Sequence, residues 1–133
     1  FDDGVTQDKR LVELLDKYGL KATFNLNSSL LGLKGGWEFG GKWVNHIKVY
    51  PSELKEVYAG HEVAVHTLTH PNLTGEADET VAYQVEEDRK KLSQLVSYEV
   101  CGMAYVWCMG DGCQYSISLD AKRQASCNYG HYT

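Results

Sequence analysis

Two stretches of the sequence carry side chains that can bind a metal ion and activate water. The first is Asp2-Asp3-Gly4, in which two carboxylates are adjacent. Adjacent side chains on an extended segment point in opposite directions, so the two aspartates are expected to have different tasks. One can bind a cation while the other acts as a general base. Taken alone, Asp-Asp-Gly is also a common turn sequence.

The second stretch is His66-Thr67-Leu68-Thr69-His70. Histidines at positions i and i+4 lie on one face of a helical turn and can converge on one metal ion. The competing interpretation is a chance pair or a capping role, because the chain has five histidines. With Asp3, the pair forms a ligand set that is typical of zinc sites with an open position, and that cobalt, iron or nickel also accept.

Such a ligand set predicts metal-assisted hydrolysis of an acyl group. A bound metal lowers the pKa of its water toward about 7, which makes hydroxide available at neutral pH. In this interpretation Asp2 orients and deprotonates the water as general base.

The elements around these residues alternate between strands and helices. Helices are predicted between Gly4 and Gly19 and over residues 51–58 and 78–96. Strands are predicted over residues 21–27, 62–65 and 100–105. Residues 32–43 are rich in glycine and aromatic residues and are expected to form a loop that contacts a ligand. The aromatic residues of this loop are expected to stack on sugar rings or to lie in the core.

This alternation predicts an α/β fold of parallel β/α units, either a barrel or a doubly wound sheet. In such folds the carboxyl ends of the strands meet at one face. The predicted strand at residues 62–65 ends directly at His66, so His66 is expected to reach the same face as Asp3.

These motifs resemble the polysaccharide deacetylase family, also called the NodB-homology domain or carbohydrate esterase family four. Phe1-Asp2-Asp3-Gly4 is similar to its first motif, TFDDG, and residues 60–70 are similar to the stretch that ends in its H-(S/T)-x-x-H metal motif. Residues 21–24, Lys-Ala-Thr-Phe, resemble its second strand. The resemblance covers residues 1–105 and implies a partial, distorted (β/α) barrel that is truncated at its C-terminal side.

The resemblance also implies a role for each matched residue. Asp2 would be the catalytic base, and Asp3, His66 and His70 would hold a divalent metal, most commonly zinc. Thr67 would brace the ligand loop by hydrogen bonding. The implied activity is removal of N-linked acetyl groups from an amino sugar or a polysaccharide of the chitin or peptidoglycan type. His46 has no matched role and is expected at the surface, and His61 is expected to be structural.

The chain departs from the family pattern after residue 103. The third motif, Arg-x-Pro-Tyr-Gly or Ala-Tyr-Pro-Phe-Gly, is replaced by residues 104–108, Ala-Tyr-Val-Trp-Cys. The backbone N–H of Trp107 aligns with the family's oxyanion donor. The Leu-x-His segment that supplies the general acid has no counterpart, and His131 does not match it. Residues 106–133 are therefore expected to be an irregular tail.

These departures keep two alternatives open beside the enzyme. One is a non-catalytic remnant that binds metal or sugar, and the other is a metal-dependent amidohydrolase acting on a small amide.

Composition excludes some classes of partner. The net charge is −5 and no basic stripe is visible, which argues against a nucleic-acid partner. No run of about 18 apolar residues is present, so no membrane span is expected. The chain begins at Phe1 on a predicted strand, so we expect it to be a fragment whose signal peptide, if any, lies upstream. The four cysteines are expected to be ordinary thiols, and no feature predicts the oligomeric state.

Overall fold

The structure is a computed structural model that describes residues 1–106. Its helices are α1 (Asp8–Lys17), α2 (Leu54–Val57) and α3 (Asp78–Val96), and 3-10 turns cover Ser28–Leu30 and Pro51–Glu53. Its strands are β1 (Thr23–Leu26), β2 (Gly36–Phe39), β3 (Lys42–Asn45) and β4 (Glu62–Val65).

Parallel extended segments form the centre of the fold. β1 and β4 pair in parallel along their whole length. A parallel bridge joins Asp2 to Asn25 at one side of this pair, and another joins Val65 to Met103 at the other side. The segments therefore lie side by side in their order along the chain, with helices between them. This is the predicted α/β arrangement of a partial (β/α) barrel, and the described residues leave it open.

The core lies between this sheet and the helices. Leu26 and Leu92 are fully buried, on β1 and α3 respectively, and Val63 and Val65 present β4 to the same cluster. α3 contributes Val81, Val85, Leu92 and Val96 at spacings of four, seven and four residues, which is the helical pattern that predicted its apolar face. Burial of this face fixes α3 against β4, the strand that leads to His66.

Residues 32–43 are not the loop that was expected. β2 and β3 form an antiparallel hairpin in which Trp37 is opposite Val44 and Phe39 is opposite Lys42. The two residues that join them, Gly40 and Gly41, have φ of 57° and 75°. Two glycines with positive φ make the tight turn that matches the twist of a hairpin, and this Gly-Gly pair was the overlooked signal.

Other predicted elements differ in extent. The predicted helix at residues 51–58 is divided between a 3-10 turn and α2, and the predicted strand at residues 100–105 is reduced to the single bridge at Met103. Cys101 is disulfide-bonded, so the expectation of a thiol is wrong there. No helix within residues 1–106 is long and apolar enough to cross a membrane. The expectations for residues 107–133 lie outside the described residues.

Candidate metal centre

Asp3 lies where the first extended segment ends. Its backbone N–H donates to the carbonyl of Asn25 at 2.9 Å, which fixes its position along β1. The chain then turns sharply, because Asp3 and Gly4 have φ of 78° and 61°. A Cβ atom on Gly4 would lie 2.8 Å from Cδ2 of the buried Leu26, so only glycine fits this turn without a shift.

His66 and His70 lie just beyond the carboxyl end of β4. The N–H of His66 donates to the carbonyl of Leu26 at 3.0 Å, which continues the β1–β4 pairing by one residue. Residues 66–70 are not the helical turn that was predicted. Thr67 and His70 instead have φ of 68° and 56°, and this irregular loop brings the two imidazoles together.

The three predicted ligands converge. One donor atom from each of Asp3, His66 and His70 can be chosen so that all lie within 4.8 Å of one another. The Nε2 atom of His70 is 3.5 Å from Oδ1 of Asp3. His66 is buried, whereas the side chains of Asp3 and His70 are about one-third exposed. The cluster is therefore open to solvent on one side, as a site that admits a substrate must be.

The tautomer of His66 suits a metal ligand. Its Nδ1 atom lies 2.9 Å from the carbonyl oxygen of Ala104. A carbonyl only accepts, so Nδ1 carries a proton, and in the neutral imidazole Nε2 then has the free lone pair. Metal-ligating histidines characteristically donate their other N–H to such an acceptor. The observed donor set, one carboxylate and two imidazoles, thus fits a divalent transition metal, and it is the only such group of three within residues 1–106.

Two buried polar residues that the sequence interpretation missed hold the His66 loop. The side-chain amide of Asn27 donates to the carbonyls of His66 and Thr67. Asp88 on α3 accepts from the N–H of His66 at 3.1 Å and from the N–H of Ser28 at 2.6 Å. Burial raises the pKa of Asp88 to about 6. Together these contacts tie the ends of β1 and β4 to α3.

The position of Asp88 corrects an expectation. The run Asp88-Arg89-Lys90-Lys91 mixes charges in the way that predicts a solvated helix face, yet Asp88 is fully buried. It lies three residues after Val85 and four before Leu92, on the apolar face of α3. This spacing, which places Asp88 among the buried residues of α3, could have predicted its burial from the sequence.

Asp3 also has two basic neighbours. The ammonium of Lys48 donates to the backbone carbonyl of Asp3 at 2.7 Å and lies 3.3 Å from its Oδ1. The Nε2 atom of His46 is 3.8 Å from Oδ2. Burial lowers the pKa of both Lys48 and His46. The expectation that His46 is a surface residue without a role is therefore wrong in its placement, because His46 borders the site.

The remaining predicted residues have different outcomes. Asp2 is exposed, and its Oδ1 accepts from the side-chain amide of Asn25 at 2.7 Å. The hydroxyl of Thr67 is buried without a hydrogen-bond partner among the described residues, so the expected bracing comes from Asn27 instead. His61 is structural, as expected, with its Nε2 3.1 Å from Asp16. Trp107 lies outside the described residues.

Comparison with known proteins identifies the family. The polysaccharide deacetylase family matches residues 1–126, and the chain belongs to it. The match extends past residue 105, and the predicted boundary there stays a prediction. A search of curated proteins found no match.

Several solved structures share the fold. A Streptococcus pyogenes deacetylase, PplD, in complex with acetate is similar with a TM-score of 0.64 and 22% identity over 80% of this chain and 43% of that one. A polysaccharide deacetylase from Bacillus cereus is similar with a TM-score of 0.64 and 20% identity over 84% of this chain and 33% of that one. A family 4 carbohydrate esterase from Streptomyces lividans in complex with acetate has a TM-score of 0.58 and 17% identity over 84% of this chain and 50% of that one. The chain thus spans half or less of the length of these proteins.

Proposed function

We propose that this chain carries the metal centre of a carbohydrate N-deacetylase, which hydrolyses N-linked acetyl groups on an amino sugar or polysaccharide of the chitin or peptidoglycan type. The observation that carries the proposal is the convergence of Asp3, His66 and His70 within 4.8 Å, in a chain of the polysaccharide deacetylase family. The family name indicates the reaction class, and the cluster supports a metal-dependent form of that reaction.

Asp3, His66 and His70 would hold the metal, for which zinc is the first choice and cobalt, iron or nickel are alternatives. When bound, such an ion acts as a Lewis acid that lowers the pKa of water toward about 7. Two hydrogen bonds would orient the ligands before a metal binds. Nδ1 of His66 donates to the carbonyl of Ala104, and the ammonium of Lys48 donates to the backbone carbonyl of Asp3.

Asp2 is assigned as the general base. Asn25 occupies its Oδ1 atom, which leaves Oδ2 to accept a proton from the attacking water. The water oxygen bonds to the acetyl carbon as its proton passes to Asp2, the C–N bond breaks as the nitrogen takes up that proton or one from solvent, and the products are acetate and the free amine of the sugar. The backbone N–H of Trp107 is proposed as a donor to the oxyanion that forms on the acetyl oxygen.

A second candidate is a non-catalytic domain that binds metal or sugar. The altered third motif at residues 104–108 favours it.

Release of acetate from N-acetylated chitooligosaccharides by the zinc-loaded full chain tests the proposal. We expect turnover in the wild type and a loss of about 10²–10⁴-fold in Asp2→Asn, which removes the base and keeps the ligands. His61→Gln is the matched control, because it changes a histidine outside the site. Zinc binding without any acetate release would favour the non-catalytic domain and contradict the enzyme.

A further inference from the structure

Lys48 is a buried lysine whose charge has no task in the proposed reaction. Its side chain is only 9% exposed. Its ammonium donates to the backbone carbonyl of Asp3 at 2.7 Å and lies 3.3 Å from Oδ1 of the same residue. A buried charge is costly unless an opposite charge and hydrogen bonds compensate it. Lys48 therefore depends on Asp3, which is also a candidate metal ligand.

Main-chain pairing delivers Lys48 to Asp3. The N–H of Lys48 donates to the carbonyl of Leu33 at 2.9 Å. The next residue, Val49, donates its N–H to the carbonyl of Gly4 at 2.8 Å. The segment that carries Lys48 is thus tied directly to the turn that carries Asp3, and the pairing does not require the lysine side chain.

The carboxylate oxygen that faces Lys48 also faces the ligand cluster. The Nε2 atom of His70 lies 3.5 Å from Oδ1 of Asp3, and the ammonium of Lys48 lies 3.3 Å from the same oxygen. A metal ion held by Asp3, His66 and His70 would therefore draw on a carboxylate that already has a cation beside it. Two cations that share one carboxylate repel each other, and the repulsion is strong where water is excluded.

Two carboxylates act on Lys48. Besides Asp3, Asp8 is buried in the first turn of α1, where its Oδ2 accepts from the hydroxyl of Tyr58 at 2.7 Å. Burial lowers the pKa of Lys48, whereas the charges of Asp3 and Asp8 act in the opposite direction. Within residues 1–106, Lys48 is the only lysine or arginine that pairs with Asp3. It is therefore the main counter-charge of Asp3 in the metal-free chain.

We propose that Lys48 is a positioning residue that acts as a counter-cation: it holds Asp3 in place in the metal-free chain and competes with the metal for the Asp3 carboxylate. This inference rests on the proposed metal centre and extends it to the metal-free state. Its consequence is a site that is formed before a metal binds, but that binds the metal less tightly than the same three ligands would without the lysine.

Two effects of removing the lysine oppose each other, and the contacts of Asp3 indicate which is larger. Loss of a supporting hydrogen bond lowers metal affinity by about 10–100-fold where the ligand depends on that bond. Asp3 keeps another anchor, because its own N–H donates to the carbonyl of Asn25 at 2.9 Å. Two unit charges about 4 Å apart near a protein surface change an equilibrium by up to roughly 10³-fold. The charge effect is therefore expected to dominate.

Calorimetric titration of the metal-free full chain with zinc tests this competition. Lys48→Met removes the charge and keeps a long side chain. We expect it to lower the Kd for zinc by about 10-fold, because the competing cation is gone. A lysine with a merely structural task would have the opposite effect, since its loss would loosen Asp3. An unchanged or raised Kd in Lys48→Met would overturn the inference.

Lys9→Met is the matched control, because it removes the same charge from a surface pair. Lys9 lies 2.9 Å from Oε1 of Glu53, and both side chains are exposed to solvent. Charges at the surface are screened by salt, so the Kd for zinc is expected to stay within about two-fold of the wild-type value.

A double-mutant cycle in the metal-free chain tests the pairing itself. Lys48→Met is expected to lower the urea midpoint of unfolding, and to lower it by about half as much or less in an Asp3→Asn background, where the lysine has lost its carboxylate. Equal losses in the two backgrounds would overturn the inference, because Lys48 would then act through the backbone carbonyl alone. Lys48→Gln, which keeps an N–H donor without the charge, replaces Lys48→Met in both measurements if the methionine variant does not fold.

Zinc affinity and acetate release separate this inference from the proposed function. Acetate release by the wild type, together with an unchanged zinc Kd in Lys48→Met, supports the enzyme and overturns the counter-cation. A lower zinc Kd in Lys48→Met, without acetate release by the wild type, supports the counter-cation and contradicts the enzyme. A wild-type chain that binds no zinc contradicts both.

Discussion

Asp88 carries out two tasks with one buried carboxylate. Its oxygens accept the backbone N–H groups of His66 and Ser28, so it sets the start of the ligand loop and the end of β1 together. A buried N–H without an acceptor costs about 1–3 kcal/mol, and Asp88 supplies an acceptor to Ser28 and a second acceptor to the N–H of His66, which also donates to the carbonyl of Leu26. The site therefore depends on a residue that contributes no ligand atom.

The variant Asp88→Asn tests this role. An amide offers only one acceptor oxygen, and its NH₂ group then faces the N–H of either Ser28 or His66, so the free energy of unfolding is expected to fall by about 1–3 kcal/mol. Because the His66 backbone is then less well held, zinc affinity is expected to fall by about 10-fold. Chemical denaturation and zinc titration measure the two effects.

Glu87→Gln is the control for this variant, since the Glu87 carboxylate pairs with Lys90 at the surface. It is expected to change the free energy of unfolding by less than about 0.5 kcal/mol. Equal effects of the two substitutions would contradict the role assigned to Asp88.

At the scale of elements, the site is formed where three segments end on one side of the parallel sheet. The Asp3 turn depends on Gly4, which combines positive φ with close packing against Leu26. Gly19 after α1 has a similar φ of 65°, but a Cβ atom added there would meet nothing within 4 Å. A comparison of the two glycines therefore separates the cost of a positive φ, which both have, from the cost of steric contact, which only Gly4 has.

Replacing each glycine by alanine measures this difference. Gly19→Ala is expected to cost about 1–2 kcal/mol from the left-handed backbone alone. Gly4→Ala adds overpacking against Leu26, for a further loss of about 1–3 kcal/mol in the free energy of unfolding. Chemical denaturation of both variants checks the prediction, and equal losses would show that the contact with Leu26 has no energetic weight.

The sequence predicted the elements that have strong periodicity and missed those that depend on tertiary contacts. The apolar spacing along α3 and the β-branched run of β4 were sufficient to predict both. His66 and His70 do converge, but not through the helical turn that the sequence predicted. Residues 66–70 form a loop in which Thr67 and His70 have left-handed backbone, and this loop brings the two imidazoles together. The proximity of His46 and Lys48 to Asp3 comes from pairing between distant segments, which no local pattern records.

At the scale of the whole molecule, the order of the segments explains why the ligands meet. The parallel segments lie side by side in chain order, so the ends of the first segment and of β4 are separated only by β1. Asp3 and His66, which are 63 positions apart in the sequence, are thereby brought to one edge. Family membership covers residues 1–126, so this arrangement belongs to the family's fold, and we propose that it carries a metal centre.

Calorimetric titration of the metal-free full chain with zinc tests the central claim most directly. We expect about one zinc ion per chain, as the three-ligand set requires. His66→Ala should weaken binding by more than the roughly 10–100-fold that follows loss of a supporting hydrogen bond, because a ligand itself is lost. The control His61→Gln, which changes a histidine outside the site, should bind as the wild type does. A wild-type chain that binds no stoichiometric zinc, or a His66→Ala chain that binds it equally well, would contradict the account.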